Sequence, residues 1–296
     1  MRVIRWTDAD GLIGIGVELE DDGRYLPADA ATDVVAVLRG EPVDVSGEAV
    51  VPVDADTLTL DGGRTLLAPI DPPEVWCSGV TYQRSRDARM EESAVRDVYD
   101  LVYDAPRPEL FLKDAGGRRT VAPGAPVGIR SDSAWNVPEP EIGLVLDEDG
   151  TILGYTIGND VSSREIEGAN PLYLSQAKVF AGACSIGPAI VVATGRHEYE
   201  LVMRIFGADA ELLYEDKTST SQMVRSFDQL ASWLVRDNPV PPGTVLLTGT
   251  GLVPPDSFTL QPGQRIVISV PGIGTLVNGV APAATLVRPR AEGGST

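Results

Sequence analysis

Most apolar runs along the chain are short and are broken by Gly, Pro and Asp, which predicts a body built of short strands with a few helices. Val3–Trp6 and Leu12–Leu19 flank the turn-forming Asp8-Ala9-Asp10-Gly11 and predict an N-terminal hairpin. Val34 to Leu38 reads as a short helix. Asp71-Pro72-Pro73 breaks the pattern, so a small N-terminal α+β module is expected over residues 1–70 and a larger unit over 71–296. In the larger unit, Glu74–Val80, Leu110–Leu112, Glu141–Leu146, Thr151–Asp160, Ala189–Val192, Leu201–Phe206, Val245–Leu247 and Ile266–Val270 read as strands. Arg84–Val102 reads as one helix, Leu172–Phe180 as a short one, and Ser221–Arg236 as the clearest, with Met223, Phe227, Leu230, Ala231 and Leu234 along one side. The fold class expected is α+β and β-rich.

Charge narrows the functions open to such a body. The formal net charge is −19, which excludes a phosphate backbone or an anionic membrane as a natural partner. An anionic substrate would need a local positive centre, either a metal or a placed Lys or Arg. Only three lysines occur, Lys113, Lys178 and Lys217, in a chain that otherwise uses Arg; a retained Lys points to chemistry that an always-charged guanidinium cannot do. The single histidine, His197, lies in a polar stretch and reads as a loop residue, which disfavours Ser-His-Asp and Cys-His mechanisms. Cys77 and Cys184 are too few for a disulfide framework, and the N-terminal stretch shows no signal-peptide pattern; a cytoplasmic location is expected.

The sharpest chemical signal is Glu139-Pro140-Glu141 followed by Asn159-Asp160. Residues two apart on a strand share a face. If Asp149-Gly150 is a two-residue hairpin turn, Glu148 pairs with Thr151, Glu141 with Gly158, and Glu139 lies opposite Asp160. Three carboxylates then converge, and a cation is needed to relieve their repulsion. Oxygen-only ligands favour Mg²⁺, Mn²⁺ or Ca²⁺, and three protein ligands leave positions for water and substrate, which suits catalytic Mg²⁺ or Mn²⁺. The alternative is a solvated acidic patch. The apolar run Ile142–Leu146 argues for a strand buried on both faces and so against that alternative.

With these residues in view, the chain resembles the fumarylacetoacetate hydrolase family over roughly residues 70–282. The matching text is PEPEIGLVLD, GYTIGNDVSSRE, AKVFAGACSIGPAIV, LLTGTG and PGIGTLVNGV. The resemblance implies a mixed β-roll or sandwich, usually a homodimer or homotetramer. It implies Glu139, Glu141 and Asp160 as ligands of Mg²⁺ (or Mn²⁺), Lys178 beside metal and substrate, and Lys113 and Thr250 near the substrate. Hydrolases of the family usually carry Asn-Tyr-x-x-His, and here the aligned text is Thr81-Tyr82-Gln83-Arg84-Ser85. Ser85 stands in the place of the His that helps to activate water, which counts against hydrolysis.

The stretches SGVTYQRSRDARMEES and YDAPRPELFLK are instead similar to the sugar-acid branch of the family. That branch implies dehydration of a 2-dehydro-3-deoxy-pentonate, derived from D-arabinonate or xylonate, to 2,5-dioxopentanoate. Lys178 is then the expected base, Glu109 or Glu92 the acid, and Ser85 and Arg86 substrate contacts; Arg89 reads as a solvated helix residue. The competing expectations are a hydrolase or decarboxylase acting on an acylpyruvate or diketo acid, and a non-catalytic metal or sugar-acid binding homologue.

Overall fold

A computed structural model describes residues 1–287 apart from 21, 30, 55–56, 58, 93–96 and 196–197, so His197 and the C-terminal tail lie outside the described residues. The architecture is β-rich, as expected. A large mixed sheet runs in the order Leu26–Pro27, Ile13–Glu18, Arg2–Thr7, Cys184–Val192, Ile152–Asp160, Pro140–Leu146, Thr244–Leu247, Glu74–Cys77, Phe111–Ala115. A second sheet runs Leu212–Ser219, Glu200–Phe206, Arg265–Val270, Gly274–Pro282, Val127–Ile129. Among the described residues no helix is long and apolar enough to cross a membrane.

The main core lies between the sheets. Ile142, Leu144 and Leu146 project from one face of the large sheet toward Leu201, Met203, Ile205, Ile266 and Ile268 of the second. Helix Phe227–Leu234 adds Leu230, Ala231 and Leu234. The opposite face of the large sheet is also apolar, with Val75, Cys77, Val145, Ile186, Val245 and Leu247 covered in part by the helix Val34–Leu38. Burial on both faces is why Ile142–Leu146 reads as an unbroken apolar run. The predicted N-terminal hairpin is present, with Arg2 opposite Glu18 and Thr7 opposite Ile13. Its first strand also pairs with Cys184–Val192, so residues 1–70 extend the large sheet at one edge.

Two helix readings differ from the structure. The Ser221–Arg236 stretch becomes a 3-10 turn, Thr220–Gln222, followed by helix Phe227–Leu234. Met223 and Val224 between them are extended because they pair with Tyr82 and Thr81, and Ser226 then caps the helix by accepting from Gln229 N. The Arg84–Val102 stretch is described as two helices, Gln83–Glu92 and Asp97–Asp104.

The register of Pro140–Leu146 against Ile152–Asp160 decides where the acidic residues go. Glu141 does pair with Gly158, and Asp160 N donates to Glu139 O at 2.9 Å. The turn is not the two-residue one. Asp147 N donates to Thr151 O, which leaves a three-residue loop, and the pairing then slips between Val145 and Leu146 so that Leu153 bulges out. The longer loop and the bulge shift the register by one residue in opposite senses and cancel. The acidic positions therefore stand opposite each other, but through a different turn from the one the Asp-Gly dipeptide suggests.

Candidate metal and substrate site

Strands Glu74–Cys77, Ile152–Asp160 and Thr244–Leu247 end, and Pro140–Leu146 begins, at the same end of the large sheet. The loops that follow bring Ser78, Gly249 and Thr250 beside the acidic residues. Glu139, Glu141 and Asp160 are 4%, 2% and 1% exposed, and each offers a carboxylate oxygen within 4.8 Å of the other two. This is a buried cluster and not a solvated patch. The surrounding groups treat the three carboxylates unequally. Glu139 accepts from Arg164 Nη1 at 3.2 Å and from Lys178 Nζ at 2.6 Å. Asp160 accepts from Lys178 Nζ at 2.9 Å and is in contact with Lys113 Nζ, which also donates to Val161 O at 2.9 Å. Glu141 has no cationic partner among the described residues; Gly249 N donates to its Oε2 at 2.7 Å.

That asymmetry shows in the acid–base behaviour of the site. Burial, with the charges of Asp160 and Glu139, pushes the Glu141 carboxyl well above the usual carboxylate range, and Lys178 and the Gly249 amide only partly oppose it. The donor set is all oxygen, it is buried, and one member has no ion pair with a cation among the described residues. It therefore fits a hard divalent cation, with Glu139, Glu141 and Asp160 as the residues that would hold it. Gly249 is required by its backbone, since its φ is +89° and a Cβ would lie 2.8 Å from Ser78 O.

Lys178 is 2% exposed, at the end of helix Leu174–Lys178, and also donates to Ser162 Oγ at 2.6 Å. Its three donors all have acceptors, which is the pattern of an ammonium. The cavity over the carboxylates is lined by Lys178, Glu109, Ser85, Thr250, Glu167 and the loop Ser78-Gly79-Val80. Val80 has φ +53°, rare for a β-branched residue, and this bend takes the chain from the strand end at Cys77 into helix Gln83–Glu92. Ser85 is thereby buried in the cavity wall. Both thiols are buried and raised by that burial, Cys184 to about 12, so they pack as small apolar groups.

Not every expected residue faces the cavity. Arg86 lies over the Tyr103 ring, 4.7 Å from its centroid, and pairs with Asp87 at 2.9 Å. Lys113 is fully buried behind Asp160 and does not line the cavity. The side chains of Arg89 and Glu92 lie outside the described residues. Glu167 and Arg164 were not read from the sequence. Both sit on the short helix Arg164–Ala169, whose signal was available in Ser163, an N-cap that accepts from Ile166 N, with Glu165 and Glu167 in the first turn.

Comparison with known proteins agrees with this geometry. The chain is 54% identical over 220 residues to a probable 2-keto-3-deoxyxylonate dehydratase of Haloferax volcanii, covering 73% of this chain and 75% of that one. It is 39% identical over 258 residues to the 2-dehydro-3-deoxy-D-arabinonate dehydratase of Saccharolobus solfataricus, covering 83% and 86% respectively. Its fold superposes with a TM-score of 0.83 on a 2-keto-3-deoxy-D-arabinonate dehydratase complexed with magnesium and 2,5-dioxopentanoate, at 34% identity and over 95% of this chain and 99% of that one. Residues 74–281 match the family described as Fumarylacetoacetate (FAA) hydrolase C-terminal, and the chain belongs to the fumarylacetoacetate hydrolase family.

Proposed function

We propose that this protein is a divalent-metal-dependent hydro-lyase that converts a 2-dehydro-3-deoxy-pentonate, derived from D-arabinonate or xylonate, to 2,5-dioxopentanoate and water. The observation that carries the reading is that one buried cavity joins an all-oxygen acidic triad, Lys178 and Glu109, with Ser85 where a hydrolytic base would stand. Two dehydratase relatives of high coverage support the same chemistry. Glu139, Glu141 and Asp160 would hold Mg²⁺, or Mn²⁺, which would supply Lewis-acid chemistry that favours proton loss beside the 2-oxo group.

The chain's own groups do the rest. Thr250 and the Gly249 loop face the end of the cavity beside Glu141, where the substrate's carboxylate and 2-oxo group belong. Lys178 is held as an ammonium by Glu139, Asp160 and Ser162. When those carboxylates are engaged elsewhere, the ammonium loses two of its acceptors and releases one proton to solvent, and the neutral amine can take a proton from carbon 3. The carbon 3 electron pair forms a double bond to carbon 4 as the carbon 4–oxygen bond breaks. Glu109 gives its proton to the leaving hydroxyl, which departs as water. The product of that step is an enone; loss of a proton from carbon 5 and protonation at carbon 3 turn it into the enol of carbons 4 and 5, which takes a proton at carbon 4 as its hydroxyl proton leaves and becomes 2,5-dioxopentanoate.

The proposal extends to a homodimer or homotetramer in the cytoplasm, as the sequence suggested; light scattering on the purified protein measures the subunit count. The activity is tested by incubating EDTA-treated protein with 2-dehydro-3-deoxy-D-pentonates, with and without Mg²⁺, and following the products by NMR. A Mg²⁺-dependent aldehyde signal is expected. Release of a second carboxylic acid from an acylpyruvate, with no aldehyde from the sugar acids, would replace this reading by the hydrolase one.

A further inference from the structure

Arg225 has no role in the site as described, yet its environment is unusual. It is 6% exposed and has no carboxylate partner among the described residues. Its guanidinium donates only to main-chain carbonyls: Ala105 O at 2.6 Å, Val102 O at 3.0 Å, Pro106 O at 3.4 Å and Tyr103 O at 3.5 Å. An arginine is seldom this buried without an acid beside it. Here the acceptors are carbonyls of the last turn of helix Asp97–Asp104 and of the two residues that follow it, where a cation meets the negative end of the helix dipole.

The neighbours of Arg225 give this contact a second meaning. Val224 N donates to Thr81 O at 2.9 Å, and Met223 bridges to Tyr82. Three consecutive residues, Met223 to Arg225, therefore fasten both ends of the excursion that begins after Tyr82 and returns at Pro106. That excursion delivers two groups to the cavity. Ser85 lies three residues past the first fastening, and Glu109 lies three residues past the second. The link to Glu109 is short and stiff, Pro106-Arg107-Pro108, with Arg107 stacked on the Trp233 ring at 4.6 Å. Glu109 O then accepts from Ser78 Oγ at 3.0 Å.

We infer that Arg225 is a positioning residue for the dehydration. By gripping the end of helix Asp97–Asp104 it sets where the Glu109 carboxyl stands against the hydroxyl-bearing end of the substrate. It acts through Glu109 and touches neither the carboxylate triad nor Lys178. The inference rests on the proposed reaction for its kinetic arm, and its structural arm is independent of that reaction.

The test compares wild type with R225M and R225K. R225M keeps the aliphatic bulk and loses all donors; R225K keeps a charge and at most three donors, without the planar fork. For R225M, kcat is expected to fall about 10- to 100-fold, as a displacement of about 1 Å at a reacting group can cost. Mn²⁺ affinity, measured by electron paramagnetic resonance on the protein without substrate, is expected to stay within about twofold. Amide hydrogen exchange in peptides spanning 97–109 is expected to quicken while the strand Pro140–Leu146 keeps its protection. R225K is expected to recover part of both losses. Faster exchange with full kcat would make Arg225 structural only and overturn the proposal, as would unchanged exchange. Should wild type prove inactive on the sugar acids, the proposed reaction fails, and the exchange result alone decides whether Arg225 places this segment.

Discussion

Replacing Gly79 by Ala tests whether Glu109 acts where the structure puts it. Gly79 forms part of the cavity wall, and its φ is not in the left-handed region, so Ala is compatible with its backbone. A Cβ built there lies 2.8 Å from Cδ of Glu109 and closer still to its Oε2, whereas ordinary contacts begin near 3.4 Å. The carboxyl must therefore retreat by at least about half an ångström, and by more at the oxygen. The obstacle is the end of a flexible side chain, so the fold should lose less than about 1 kcal/mol. A proton donor displaced by about 1 Å can cost up to about 100-fold in rate. G79A should accordingly keep its Tm and Mg²⁺ affinity and lose most of its kcat in the NMR assay for aldehyde formation. E109Q removes the donor outright and should cost about 100-fold or more. The double variant G79A/E109Q should be no slower than E109Q, because both changes act through one group. Full turnover by G79A, or fully additive losses in the double variant, would refute the assignment of Glu109 as the acid.

Three further predictions follow from the same geometry. E141Q removes one of three anionic ligands and should weaken Mg²⁺ binding by about 100-fold or more by calorimetry, with activity lost in parallel. Without metal the raised Glu141 pKa has a defined sign: the folded chain holds a proton that the unfolded chain has released. Stability of the EDTA-treated protein should therefore fall as pH rises above the ordinary carboxylate range, and added Mg²⁺ should restore Tm more at pH 8 than at pH 6, while the metal-free E141Q variant should lack that pH slope. Asp114 behaves oppositely. Burial alone would raise it, but the amides of Arg119, Thr120 and Ala115 and the Thr120 hydroxyl hold it below the usual carboxylate range. Its contribution is complete above that range and is lost as pH falls through the lowered value; D114N should cost about 2–4 kcal/mol in denaturant titration at neutral pH and leave less to lose in acid.

Much of the site was legible because its parts are local to strands. Glu139 and Glu141 share a face by strand periodicity, and pairing across one hairpin carries Asp160 to them. Even so, the register came right through two compensating features, the longer turn and the Leu153 bulge, neither of which a dipeptide signal can show. Helix ends were less legible because tertiary pairing overrode periodicity. Met223 carries part of the apolar stripe, but it pairs with Tyr82, and the Val224 amide that follows it is taken by Thr81 O. Glu167 and Arg164 were missed because their helix spans only Arg164–Ala169, too short for a periodic pattern and marked only by its cap. Arg86 reads as a substrate contact from its place beside Ser85, but a nearby ring, Tyr103, takes its guanidinium. Such a contact joins residues 17 positions apart and has no signature in spacing.

The account stands or falls on a divalent ion among Glu139, Glu141 and Asp160. Crystals grown with MnCl₂ and measured near the manganese absorption edge test this directly. The account predicts an anomalous peak among the three carboxylates, with the Lys178 ammonium shifted off Glu139 and Asp160. Full-occupancy manganese elsewhere in the chain, with Lys178 still bridging Glu139 and Asp160, would contradict it.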